Sequence, residues 1–316
     1  MCGAFALACP TVGTAQSSWT RRRPGWLIGL GGALAAAALA VAGTLLYLKL
    51  HEDELVFHTA ISHARTHGRL PPGGERVVIH GPGDTELAAV ILRPDAAHDS
   101  TFWILLLHGN ADSAFSSEQL RHCESLRELG FSVLSFDYRG FGLSPGVASE
   151  AHMDQDAEAA LQALIERGIS PAHIVLWGHS LGSGPAVVLA SEHPVAALLL
   201  FGAFTSIPDA AQDTYPYLPV KWITGVRFAS IDLIARVHVP VLVVHSATDT
   251  VIPLHHAQRL FDAANEPKRL LVLNGVYSDG FGCHVAALYD HGELLGPALS
   301  AVMGQRLSLT GTPAAQ

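Results

Sequence analysis

Ser180 lies in GHSLGSG, where Gly178, Ser180 and Gly182 spell G-x-S-x-G. That spacing suits a sharp strand-to-helix turn, which holds a hydroxyl out where a substrate carbonyl can meet it. The same letters also make a plain polar turn, so the reading depends on what flanks them. Before the serine, HIVLW (173–177) reads as a strand; after it, LGSGPAVVLASE (181–192) reads as a helix. The N-terminal end of that helix brings positive potential beside Ser180, suited to an anion formed there. A serine hydroxyl attacks only when a neighbouring base takes its proton, so a histidine and an orienting acid are required.

Asp249, in HSATDTVIP just beyond an apolar run, is the candidate acid, although a helix cap or turn aspartate would look the same. Asp279 is a weaker rival, too near the candidate histidine in sequence. Among eighteen histidines only position can select, and His284, in NGVYSDGFGCH after the last apolar run, completes the order Ser180, Asp249, His284. His108, His179 and His245 each adjoin a proposed site element and are expected to orient its loops. The oxyanion of an acyl-transfer intermediate needs backbone N–H donors: Leu181, directly after the serine, and Asn110 in LLLHGNA, with Ala111 as the alternative to Asn110. His63 and His67 have the i, i+4 spacing of a metal pair, but no H-E-x-x-H or carboxylate–cysteine set accompanies them; no metal and no cofactor is expected.

The elements that would position these groups are eight apolar runs: 76–80, 87–92, 102–108, 131–137, 173–177, 196–201, 239–245 and 269–274. Helix-like segments at 116–129, 150–167, 181–192 and 254–264 alternate with them from the third run onward. Strand and helix in alternation imply βαβ crossovers, hence an α/β fold with an eight-stranded, mostly parallel sheet covered on both faces and its ligands at the carboxyl ends of the strands.

Taken together, LHGN, FDYRGFGLSPG, GHSLGSG, HSATDTVIP and GFGCH resemble the α/β-hydrolase superfamily, in particular its single-pass, membrane-anchored esterase-like branch related to serine aminopeptidase and monoacylglycerol-lipase domains. The resemblance covers about residues 75–300 and implies catalytic roles for Ser180, Asp249 and His284. It makes Asp137–Gly140 a structural loop near the site, without a catalytic role for Asp137 or Arg139. The approach to His284 is longer than the family's terse glycine turn.

Composition adds the membrane. Charged residues are 15% of the chain, against roughly 25% in ordinary soluble domains. The apolar excess sits in residues 25–48, GWLIGLGGALAAAALAVAGTLLYL, which carry no charge; about 20 such residues cross a bilayer. Arg21, Arg22 and Arg23 precede the run, while Glu52, Asp53 and Glu54 follow closely, which places the N-terminus in the cytoplasm and the rest outside. A cleaved signal peptide, with an A-x-A site at Ala40–Ala42, is the alternative.

The expected organisation is a cytoplasmic segment 1–24, an anchor 25–50, a helical connector 51–74 broken by Pro71, Pro72, Gly73 and Gly74, a catalytic domain 75–303 and a disordered tail 304–316. With a net charge of −9 and no basic run beyond the arginine triplet, no nucleic-acid partner is expected. Four cysteines are too few for a disulfide scaffold, and Cys123 and Cys283 are read as unpaired thiols. Tyr215, Tyr217, Trp222 and Phe228, in the stretch 203–238, are candidates for the wall of an acyl pocket or for simple cover of the sheet. The expected activity is hydrolysis of a small-molecule or lipid acyl ester; the alternatives are an aminopeptidase-like amidase and a non-enzymatic scaffold.

Overall fold

A computed structural model describes residues 25–94, 101–274 and 292–303. Asp279, Cys283 and His284, the arginine triplet and the tail 304–316 lie outside the described residues. The chain divides into two units, Met1–Tyr47 and Leu48–Gln316. α1 (Gly25–Leu50) is one continuous helix whose last three residues belong to the second unit, and its 19-residue stretch Gly32–Leu50 is, by length and composition, apolar enough to cross a membrane.

The second unit is built on an eight-stranded sheet: β1 (Glu75–Gly81), β2 (Thr85–Leu92), β3 (Trp103–Leu107), β4 (Ser132–Phe136), β5 (Ile174–His179), β6 (Ala197–Phe201), β7 (Val241–Ser246) and β8 (Lys268–Leu273). All eight apolar runs form strands. Their order is β1-β2-β4-β3-β5-β6-β7-β8. β1 and β2 are an antiparallel hairpin, β2 meets β4 antiparallel, and every later pairing is parallel. Strands β3 to β7 are buried at every residue, which is why they read as unbroken apolar runs rather than alternating ones.

Alternate side chains feed two cores. Leu105, Leu107 and Leu176 face α5 (Glu150–Glu166), α6 (Ser183–Glu192) and α10 (His255–Ala263). Ile104, Leu106 and Trp177 face α4 (Ser117–Glu128) and α11 (Gly292–Met303). Helix starts obey capping chemistry: the hydroxyls of Ser116 and Ser149 accept the N–H of Gln119 and His152. Cys123, on the buried face of α4, is a free thiol that burial pushes up to about 12.

Two stretches differ from expectation. The connector is two short helices, α2 (Glu52–Val56) and α3 (Thr59–Ala64), separated by an extended, buried Phe57. Between β6 and β7 the chain makes α7 (Ile207–Thr214), α8 (Val220–Ile223) and α9 (Ser230–Leu233), where the sequence pattern predicts no helix. Tyr217 and Trp222 there are 97% and 91% exposed, so among the described residues they wall no pocket; Phe228 is buried against Gly184 and Phe57.

On α5, Asp154 has a buried Oδ1 with no hydrogen-bond partner among the described residues. Burial first, then Glu150 and Glu192, push its carboxyl up from 3.8 to about 7. A raised folded value favours the protonated acid, so its charge costs stability progressively as pH climbs from the unfolded value through about 7. Asp154→Asn, neutral throughout, should therefore raise unfolding free energy by roughly 2 kcal/mol near pH 8 and by almost nothing near pH 4. Denaturant unfolding in detergent at both pH values checks this, and an equal gain at both rejects it.

Candidate active site

β5 delivers His179 to the sheet's carboxyl edge, and the chain then turns through Ser180 at φ +50° into a single 3₁₀ turn and α6. A non-glycine residue in the left-handed region is uncommon, and such strain clusters at functional sites. Glycines allow the turn to be so tight. A Cβ on Gly178 would lie 2.7 Å from the Ala186 Cβ and the Ser183 Cα, and one on Gly182 would strike the carbonyl oxygens of Leu107 and His108. The turn is therefore pressed against the end of β3. Ser180 stays half-buried, and Ser183 Oγ donates to its carbonyl at 2.6 Å, fixing the first turn of α6.

The loop after β3 closes on the same point. A Cβ on Gly109 would sit 3.2 Å from the Ser180 Cβ and 3.0 Å from His179 Nδ1, so the backbone leading to Asn110 runs beside the serine. Asn110 and Leu181 are thus brought to one rim with Ser180. Ala111 is at φ +57° and its N–H donates to Asn110 Oδ1 at 3.0 Å. The Ala111 N–H is thereby occupied, whereas the backbone N–H groups of Asn110 and Leu181 have no acceptor among the described residues.

Beneath this loop His108 Nδ1 donates to the Gly109 carbonyl at 2.8 Å, and its ring packs on Tyr138 and Phe141. Asp137 is a structural hub: it accepts from Ala114 N (2.6 Å), Leu143 N (2.8 Å) and Ser113 Oγ (3.1 Å). Burial pushes its carboxyl above the ordinary carboxylate range, opposed by His108 and these donors. Arg139 is equally occupied, pairing Nε with Asp156 Oδ1 at 2.7 Å.

Asp249 follows β7 at the same edge, its side chain almost wholly buried. Oδ1 accepts the N–H groups of Val251 and Ile252, each at 2.9 Å, and Oδ2 lies 3.5 Å from His245 Nε2. His245 Nε2 also donates to the Ile252 carbonyl at 2.8 Å, so this histidine does shape the acid loop. His284, the expected base, lies outside the described residues.

The connector supplies contacts that the sequence did not indicate, including those of His63, there weighed only as half of a metal-spaced pair, and of Glu52. Asn110 Nδ2 donates to the Val56 carbonyl at 2.6 Å, and Asn110 Oδ1 accepts the His58 N–H at 2.9 Å. Ser62 Oγ donates to the Asp112 carbonyl and accepts the Gly142 N–H, and His63 Nδ1 donates to the Gly142 carbonyl at 2.7 Å. Glu52 takes the N–H groups of Gly225 and Val226. Burial pushes the Glu52 carboxyl up, but Lys49 and these two donors outweigh it and hold the group below its ordinary value. Such hydrogen bonds join residues 50 to 174 positions apart and leave no local signature.

One other cluster could be read as a metal site. Asp213, His255 and His256 bring ligand atoms within 4.8 Å of one another. The Thr205 N–H, however, donates to His256 Nδ1 at 3.2 Å, which leaves the proton on Nε2, facing Asp213 Oδ2 at 2.9 Å. The trio is satisfied as a hydrogen-bonded group.

A parallel sheet with a strained serine between β5 and α6, an oxyanion-type loop after β3 and an acid after β7 defines a class, and comparison with known proteins agrees. The chain belongs to the α/β-hydrolase superfamily. Residues 99–230 match the family of serine aminopeptidases, S33. The chain is 34% identical over 244 residues to the "Uncharacterized protein Rv2307c" of Mycobacterium tuberculosis, covering 77% of this chain and 86% of that one. It is 36% identical over 185 residues to the lysophosphatidylserine lipase ABHD12 of Danio rerio; the match covers 53% of this chain and 48% of the lipase, about half its length. In fold it is similar to the esterase domain of a Rhodothermus marinus protein, with a TM-score of 0.54, 24% identity, and coverage of 73% of this chain and all of that one. The Pyrococcus furiosus esterase Pf2001 gives a TM-score of 0.60 at 19% identity, covering 76% and 98%.

Proposed function

We propose that the protein is a membrane-anchored serine hydrolase that cleaves carboxylic acyl esters through Ser180, His284 and Asp249. The observation that carries this reading is the strained Ser180, set on a glycine-lined turn beside two backbone N–H groups, of Asn110 and Leu181, that have no acceptor among the described residues. His284 takes the Ser180 proton as Oγ attacks the ester carbonyl, and Asp249 holds the imidazole tautomer and steadies the imidazolium. The N–H groups of Asn110 and Leu181 meet the oxyanion, each worth about 3 kcal/mol of barrier. His284 then gives the proton to the departing alcohol, and water, activated in turn, releases the acid.

The substrate class follows from the lipase relatives: an amphiphile carrying an acyl ester, such as a lysophospholipid. α1 supports the same setting, since its apolar length suits a bilayer, and the charges around it favour a cytoplasmic N-terminus with the catalytic unit on the opposite side. The aminopeptidase name of the matching family makes amide cleavage the second reading. Matched p-nitrophenyl ester and anilide substrates separate the two: ester turnover with negligible anilide turnover is expected, and the reverse order rejects the ester assignment. A fluorophosphonate probe should label the full-length chain, and absence of labelling in folded protein would favour the scaffold reading.

A further inference from the structure

We infer that the segment running from the end of α7 through α8 is an interfacial anchor that seats Tyr217 and Trp222 in the headgroup region of the bilayer entered by α1. The inference rests on α1 spanning a membrane, as proposed above. In this one stretch Tyr215, Tyr217, Leu218 and Trp222 are 55%, 97%, 43% and 91% exposed. Isolated exposed apolar side chains are ordinary, but three aromatics with polar tips gathered in eight residues are not. Tyr and Trp are the residues that concentrate where a membrane meets water, with the ring body in apolar surroundings and the polar atom wet.

Position selects the occupant. α1 ends at Leu50, and Glu52, two residues later, grips the N–H groups of Gly225 and Val226. Trp222 is three residues from Gly225, so its backbone stays within about 11 Å of a residue held just past the end of the apolar helix. The same neighbourhood is continued by Val147, 69% exposed, because Ser149 and Glu150 line one groove with Lys49, Glu52 and Gly225. Glu150 adds a second clamp, accepting from Arg227 N and Phe228 N at 2.7 and 2.6 Å. Two carboxylates thus fix the root of the aromatic segment close to where the chain leaves its membrane helix. A lipid surface is the partner within reach there, and it suits both the residue types and an enzyme whose substrates are amphiphiles.

The test uses the full chain reconstituted in phosphatidylcholine vesicles, with tryptophan emission quenched by lipids brominated near the carbonyl, by lipids brominated mid-chain, and by aqueous iodide. Subtracting the Trp222→Phe signal isolates Trp222. The expected result is loss of Trp222 emission with carbonyl-brominated lipid, weaker loss with mid-chain-brominated lipid, and protection from iodide. Trp222 that is open to iodide and untouched by either lipid overturns the inference. Protection from iodide without lipid quenching also overturns it, pointing to a second copy or another protein on the patch. Trp26, inside α1, is isolated in the same way, by subtracting the signal of the Trp222→Phe/Trp26→Phe protein from that of Trp222→Phe: if it too escapes both brominated lipids, the spanning helix is the reading that has failed.

Discussion

Ser180→Ala is expected to lower kcat/KM on an activated acyl ester by about 10⁴-fold or more, because removing the nucleophile removes the whole covalent pathway. The substitution deletes only Oγ. Ser183 still donates to the carbonyl of residue 180, the glycines at 178 and 182 still admit the turn, and alanine meets the same φ of +50° that serine does. Stability should change by no more than a few tenths of a kcal/mol, as for a substitution that opens no cavity. The comparison is initial rates together with fluorophosphonate labelling of wild type and variant; a variant within tenfold of wild type would remove Ser180 from the chemistry.

Asn110→Ala is expected to lower kcat by roughly 10- to 100-fold with little change in KM, through misplacement of a donor rather than its deletion. The backbone N–H of residue 110 survives in the variant. What goes is the side chain that holds Val56 and His58 on one side and the Ala111 N–H on the other. Without that brace, the loop is free to leave the geometry that aims the donor at the oxyanion. Losing these hydrogen bonds costs about 1–3 kcal/mol of stability, so a protein that remains folded but slow, with fluorophosphonate labelling slowed in parallel, is the signature. Activity within twofold of wild type would mean that the connector does not position the loop.

The fold was legible because its signals are local. A strand buried on both faces must be apolar throughout, and five of the eight runs are such strands, bounded by polar turns that no covered parallel sheet could absorb. The helices α4, α5, α6 and α10 were legible because each is nine residues or more, long enough for a buried face to repeat. α7, α8 and α9 were not, since eight, four and four residues hold too little periodicity to register. The same stretch misled on its aromatics: Phe228 goes inward and Trp222 outward, though nothing in their types distinguishes them.

The candidate residues at positions 110, 180 and 249 were selected by chain order and by the elements they terminate, and the fold brings the backbone at Gly109, next to Asn110, beside Ser180. Sequence alone determined the strand–turn–helix around Ser180, because the steric demand of that turn is met by glycines two residues away on either side, all within seven letters. Only tertiary structure decided that Val56, His58 and Ser62 brace the loop after β3 and that Glu52 holds Gly225. Those partners are short polar groups whose pairing depends on where separately folding segments come to rest, and a hydrogen bond across fifty or more residues imposes no pattern on the residues between.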